Sequence, residues 1–257
     1  ATLKICRLQL QQLYKALSTG GIMYQKRFYR DYTKAQGLVK FNVTEYESDL
    51  EIISKSDLKN EALSQLKKYR NEITNYISLY PEFMTSLAPI NPSDDAPAIV
   101  KHMCLASKAA NVGPMAAVAG AISEYVGKAL EKYTDELIIE NGGDIYIKSN
   151  HDRHVLIYAG KSPLSNKIAL LIPGNGNSIG VCTSSGTVGH SLSFGKADAA
   201  VVISHDTLLA DATATAVGNR VKTADDIEQG INFAKSIPGI EGVVIIIQDK
   251  LGIWGNI

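Results

Sequence analysis

Val39, Phe41 and Val43 alternate with polar residues, and a period of two predicts a strand with one buried face. Residues 49–53 predict its partner. The period then lengthens. Leu58, Ala62, Leu66, Tyr69, Ile73 and Ile77 recur at three- and four-residue spacing, which predicts a helix opened by Asp57 and closed before Pro81. Pro89, Pro92 and Pro97, with Ser93, Asp94 and Asp95 between them, predict a loop. Beyond residue 98 Ala, Gly, Val and Ile dominate. A helix is expected over about 115–133, and its Ala116, Ala117, Ala119, Gly120 and Ala121 leave room for a second backbone or a ligand to come close.

Strands at 136–140 and 145–147 flank Asn141-Gly142-Gly143, a strong hairpin signal. Further strands are expected at 154–159, 168–172, 180–183, 198–204 and 242–248. A helix is expected at 208–221, and Thr223 with Asp226 predicts the capped start of the next. Strand pairs followed by helices indicate an α+β fold with a largely antiparallel sheet rather than a regular βαβ chain. Residues 1–22 read as a short amphipathic helical extension ended by Gly20-Gly21, ahead of a single domain at 23–257.

Composition narrows the function classes. The chain has 26 basic and 26 acidic residues, so neither a nucleic-acid face nor an anionic membrane surface is indicated. The longest apolar runs fall far short of the ~20 residues that span a bilayer. Cys6, Cys104 and Cys182 are few and widely spaced, which suits a reduced, cytoplasmic setting.

Four segments carry candidate chemistry. In Ala210-Asp211-Ala212-Thr213-Ala214-Thr215, Asp211 and Thr215 lie four apart on one helix face and offer hard oxygen ligands for a magnesium-like ion. An ordinary helix with back-bonded threonines and Asp211 as a solvated first-turn acid is the simpler reading of the run by itself. In Gly180-Val181-Cys182-Thr183-Ser184-Ser185-Gly186, a strand runs into a loop that could turn N–H groups and hydroxyls toward an anion. Cys182 there is a candidate nucleophile if His190 lowers its pKa, or else a small buried residue. Glu140 to Asp144 is a tight hairpin in which Gly143 and Asp144 exceed what the turn needs. Asn111-Val112-Gly113-Pro114 opens a helix whose free N–H groups could meet a phosphate. Neither a Rossmann nor a P-loop fingerprint is present.

In this order, the runs Val112–Gly120, Glu140–Ile145, Gly180–Gly186 and Ala210–Thr215 resemble the ApbE flavin-transferase superfamily, and in particular its short branch of anaerobic bacteria and archaea. The resemblance implies a T-fold-like α+β architecture with antiparallel sheets, packed helices and two related halves. It implies magnesium held by Asp211, Thr215 and the backbone at Ala116. It further implies a nucleotide-like ligand, FAD or FMN, near Gly113, Asn141, Gly143, Asp144, Thr183, Ser184, Ser185 and Thr213. A homo-oligomer is also implied.

Two departures mark this chain off from the transferases. Met115-Ala116-Ala117-Val118 stands where they carry a lysine, and the stretch from His190 to Asp198 lacks their Asp-Pro-x-Thr-Gly run. Cation and nucleotide binding is therefore the expectation, rather than transfer of FMN to a protein threonine. The same branch suggests two alternatives: a Cys182-dependent sulfur-handling enzyme of homocysteine formation, with Cys182 and His190 as catalytic residues, or a non-enzymatic oligomeric binding protein.

Overall fold

A computed structural model describes residues 37–187 and 194–256. The expected extension at 1–22 lies outside the described residues, as does His190. Strands β1 (Val39–Glu45), β2 (Ser48–Ser54), β3 (Leu137–Asn141), β4 (Asp144–Lys148), β7 (Ser178–Ser184), β8 (Ala199–Ser204), β9 (Ile240–Ile247) and β10 (Lys250–Gly255) form one sheet in that order, and every neighbouring pair is antiparallel. Strands β5 (Arg153–Leu156) and β6 (Ala169–Ile172) pair separately.

The helices follow the second strand of each half. Helices α1 (Lys59–Leu79), α2 (Glu82–Thr85), α3 (Ala98–Ala110) and α4 (Val118–Leu130) lie between β2 and β3. Helices α5 (Thr207–Arg220) and α6 (Ile227–Lys235) lie between β8 and β9. The order strand, strand, helices, strand, strand thus occurs twice, with the β4–β7 pairing as the seam between the two runs.

Period two sorts the central strands onto two cores. Cys182, Ala200, Val202, Val243 and Ile245 face the helices with Tyr146, while Val181, Val201, Ile203, Val244 and Ile246 pack under β5 and β6. This explains why β8 reads as a continuous apolar run, since both its faces are covered. Among the described residues no helix is long and apolar enough to cross a membrane.

Three elements depart from the sequence expectation. Residues 82–85 and 98–110 form α2 and α3, which had no helical prediction, and 250–255 form β10. The helix expected from 115 begins instead as a 3-10 turn, Pro114–Ala117, before α4 proper. The capping box at Thr223 and Asp226 is present as expected.

Candidate functional site

Alternation along β4 and β7 brings the first site residues together. Asp144 stands opposite Cys182 in the β4–β7 register, and both side chains point to the helical side of the sheet. The turn that places Asp144 is tight. Gly142 and Gly143 have φ of +69° and +106°, as a two-residue turn with both central residues left-handed requires. Glu140 Oε1 accepts the Gly143 N–H at 2.8 Å.

Helices α4 and α5 supply the other wall. They run antiparallel, with Gly120 facing Asp211 and Glu124 facing Thr207. Asp211 Oδ2 accepts the Gly120 N–H at 2.8 Å, and its carboxyl also takes the Ala119 N–H. Contact this close needs glycine. A Cβ on Gly120 would lie 2.5 Å from the Thr207 carbonyl oxygen and 2.8 Å from Asp211 Cβ. Asn141 Nδ2 donates to the Ala119 carbonyl at 3.2 Å. Ser123 Oγ lies 3.0 Å from the carbonyl oxygens of both Ala119 and Asp144, tying α4 to the hairpin.

The electrostatics of this pocket are unusual for two aspartates. Both are buried. Burial pushes Asp211 up to about 7, against the pull of its two backbone N–H partners. Asp144 is raised well above the usual carboxylate range by burial and then by the charge of Asp211. The Thr183 N–H and the Cys182 thiol donate to Asp144, yet its Oδ1 is buried without a partner. Two like charges held close in a low-dielectric pocket keep a proton or admit a cation.

Cys182 is sealed in the same cluster. Its Sγ lies 3.4 Å from the Thr207 carbonyl oxygen. Burial, followed by the charges of Asp144 and Asp211, lifts the thiol well above its ordinary range. A nucleophilic role would require the thiol to shed its proton and reach solvent, and this setting opposes both. Iodoacetamide at pH 8 is expected to leave the Cys182 peptide unlabelled in native protein over a time that labels it fully in denaturant. Prompt native labelling, read by mass spectrometry, would show a reactive thiolate.

The other expected residues divide. Thr215 is half-buried on the same face of α5 as Asp211, and the Pro114–Ala117 turn carrying Ala116 packs against α5. Ser184 is buried on the helical side above Gly218. The Thr183 side chain points to the opposite face of β7 from Cys182, so only its backbone reaches the cluster. Thr213 lies about 200° round the helix from Asp211. It is buried, and its Oγ1 has no hydrogen-bond partner. Ser185 Oγ accepts the Thr187 N–H at 3.1 Å and so serves its own turn. Gly113 is held by packing: a Cβ there would lie 1.8 Å from the Ser86 carbonyl oxygen.

The described ends of the loop that carries His190 are anchored beside the end of α5. Gly186 N donates to the Ala197 carbonyl and Lys196 N to that of Val221. Phe194 N donates to Asn219 Oδ1 at 2.8 Å, and Thr187 Oγ1 to Asp198 Oδ1 at 2.9 Å. A groove of about 360 Å³ lies away from all these residues, lined by Leu171, Ile179, His205 and Glu241 among others.

Sequence reasoning passed over Gly120 and Ser123 as site-forming residues, although the run of small residues in α4 signalled a close approach. It also passed over Glu124. A single glutamate within the otherwise apolar, small-residue run of that helix is the signal that was available.

Residues 30–252 match the family model described as AbpE bacteria. A UPF0280 protein of Methanococcus aeolicus is 48% identical over 203 residues, covering 77% of this chain and 82% of that protein. One of Methanocella arvoryzae is 43% identical over 199 residues, covering 76% and 80%. Among solved structures, a mutant of flavin transferase ApbE from Vibrio cholerae superposes with a TM-score of 0.56 at 11% identity, covering 84% of this chain and 96% of that one. The apo flavinyl transferase ApbE of Pseudomonas stutzeri gives 0.55 at 13% identity, covering 84% and 93%. At that identity the likeness is one of fold.

Proposed function

The chain belongs to the AbpE bacteria family, and from that membership we propose that its Asp144–Asp211 cluster binds a divalent cation beside a nucleotide or flavin-type ligand. One observation carries the reading: two mutually repelling buried aspartates, one of whose oxygens, Asp144 Oδ1, has no partner. Such a pair costs stability unless a proton or a cation neutralises it. The donor set is hard oxygen, which suits magnesium. Asp211 and Thr215 would hold the ion from α5, with the Ala116 carbonyl from the neighbouring turn and Asp144 from the sheet. An ion there would neutralise phosphate oxygens of the ligand. The backbone N–H groups of Ala119 and Gly120 keep the Asp211 carboxyl oriented, and Asn141 and Ser123 keep α4 against the hairpin.

Transfer of FMN to protein is not part of this reading, because the position of the transferases' lysine is taken by the stretch Met115–Val118. The flavin transferases of similar fold lend support to the ligand class alone.

Calorimetric titration with FAD and with FMN, with and without magnesium, tests the proposal. Magnesium-dependent binding by wild type that is lost in Asp211→Ala is expected. Absence of binding, or equal binding by the variant, overturns it.

Proton linkage gives a second measurement. Below pH 7 Asp211 carries a proton that a cation must displace. Magnesium affinity should therefore climb as pH rises through about 7, and go on rising while Asp144, raised further by the Asp211 charge, still holds a proton. Titrations in buffers of different ionisation enthalpy should show proton release on binding at pH 6.5. Binding without proton release would place the ion elsewhere.

A further inference from the structure

A second cluster stands one turn away along the same pair of helices, and neither the sequence reading nor the proposed function uses it. His102 on α3, Glu124 on α4 and Asp206 at the start of α5 each turn one ligand-type atom inward, and those atoms all lie within 4.8 Å of one another. His102 Nε2 is 2.9 Å from Asp206 Oδ2. The three side chains grade from a buried floor to an open mouth. Glu124 is 1% exposed, His102 26% and Asp206 38%.

The second oxygen of each carboxylate is fixed by backbone. Thr207 N donates to Glu124 Oε2 at 2.6 Å, and Leu209 N to Asp206 Oδ1 at 3.0 Å. Each carboxylate is thus clamped through one oxygen, as outer hydrogen bonds clamp metal ligands; the other oxygen of Asp206 faces His102 and that of Glu124 meets Lys128. The ammonium of Lys128 lies 2.5 Å from Glu124 Oε1, on a side chain that is 55% exposed, and competes with a cation for that oxygen. A flexible surface lysine can swing to water at little cost.

We propose that His102, Glu124 and Asp206 form a binding site for a borderline divalent transition ion of the zinc or cobalt class, separate from the Asp144–Asp211 cluster. The donor set decides the class: one imidazole nitrogen with two carboxylates favours such ions over magnesium, which takes oxygen alone. The three ligands come from three elements of the folded chain, so the site exists only once α3, α4 and α5 have packed. One side remains open toward solvent, where water or a substrate atom would complete the shell. Ligands at about 2.1 Å from an ion sit roughly 3–3.4 Å apart, so atoms now up to 4.8 Å apart must close by about 1–2 Å.

The test uses the full chain stripped of metal, on an Asp211→Asn background that removes a ligand from the other site. Cobalt titration followed by visible absorption, and zinc equilibrium dialysis, should both report one bound ion. His102→Ala should weaken binding by about tenfold or more. Lys128→Met should tighten it by roughly two- to fivefold, the worth of one exposed ion pair that no longer competes. His205→Ala, whose imidazole pairs with Glu241 away from the cluster, should leave it unchanged. A merely structural His102–Asp206 pair predicts instead that Lys128→Met leaves binding unaltered. The proposal is overturned if the Asp211→Asn protein binds no cobalt or zinc. It is equally overturned if binding ignores His102→Ala, or if Lys128→Met fails to tighten it. Circular dichroism of His102→Gln, which keeps a polar side chain at that position, separates loss of the site from loss of the fold.

Discussion

Asp211→Asn is expected to make the cation-free protein more stable than wild type at pH 8 while weakening magnesium binding by at least about 100-fold. The two effects share a cause. Burial holds Asp211 at about 7 in the folded chain, against 3.8 for an ordinary aspartate. Between those values the folded chain keeps a proton that the unfolded chain has released. The contribution of Asp211 to wild-type stability is therefore full below pH 4 and declines as pH rises to about 7, by on the order of 4 kcal/mol. Asparagine cannot ionise, so the variant loses this part of the slope; the decline from Asp144 remains, lessened by loss of the Asp211 charge. Its amide oxygen can still accept the N–H groups of Gly120 and Ala119. Urea unfolding across pH 4 to 8 should show the two proteins converging at low pH and separating at high pH, with the variant ahead. Magnesium should raise the midpoint of wild type at pH 8 and do nothing for the variant. A variant less stable than wild type at pH 8 would mean that Asp211 is a structural carboxylate, held chiefly by its backbone partners.

Much of this fold is written in local pattern. The alternation at Val39, Phe41 and Val43 and the spacing from Leu58 to Ile77 produced the elements they predict, because strand and helix periods differ. The turn at Gly142 and Gly143 was legible because only glycine sits comfortably at positive φ twice in succession. Helix α3 was not. Its buried Ile99, Val100, Met103, Ala106 and Ala110 follow a helical period, but Pro97 before them supplies no side-chain cap and reads as the tail of a loop. Strand β10 holds two glycines in six residues and escapes notice for that reason. The repeated order of elements left no repeat in the residues, so only the family resemblance pointed to two halves; packing constrains the pattern of each half and not its residues.

The candidate site shows the same boundary between local and distant information. Asp211 and Thr215 share a face because a helix says so. That Asp144 would meet Asp211 depends on the β4–β7 register and on how closely α4 and α5 approach, which no local spacing encodes. Cys182 and Thr183 drew equal attention in the sequence, yet period two sends them to opposite faces. His102 drew none, because its helix went unrecognised and its partners Glu124 and Asp206 are far along the chain.

Gly120→Ala offers the sharpest test of that helix approach. In an ordinary exposed helix position this change stabilises by up to about 1 kcal/mol, since alanine is the better helix former. Here the added methyl would lie 2.5 Å from a carbonyl oxygen of Thr207 and 2.8 Å from Asp211 Cβ. Thr207 has nowhere to retreat. On its far side stands Gly180, where a Cβ would already be 2.6 Å from Thr207 Cα, and Cys182 Sγ reaches the same carbonyl. The strain must go into prising α4 from α5, which breaks the Gly120–Asp211 and Thr207–Glu124 bonds together. A loss of about 3 kcal/mol follows, the upper part of the range for overpacked cores. For a domain of this size that lowers the melting temperature by roughly 6–12 °C. Magnesium affinity should fall with it, because Asp211 loses the N–H that orients it. The sign of the stability change decides the matter. A melting temperature at or above wild type would show that α4 and α5 do not meet at Gly120, and the pocket built on their contact would go with it.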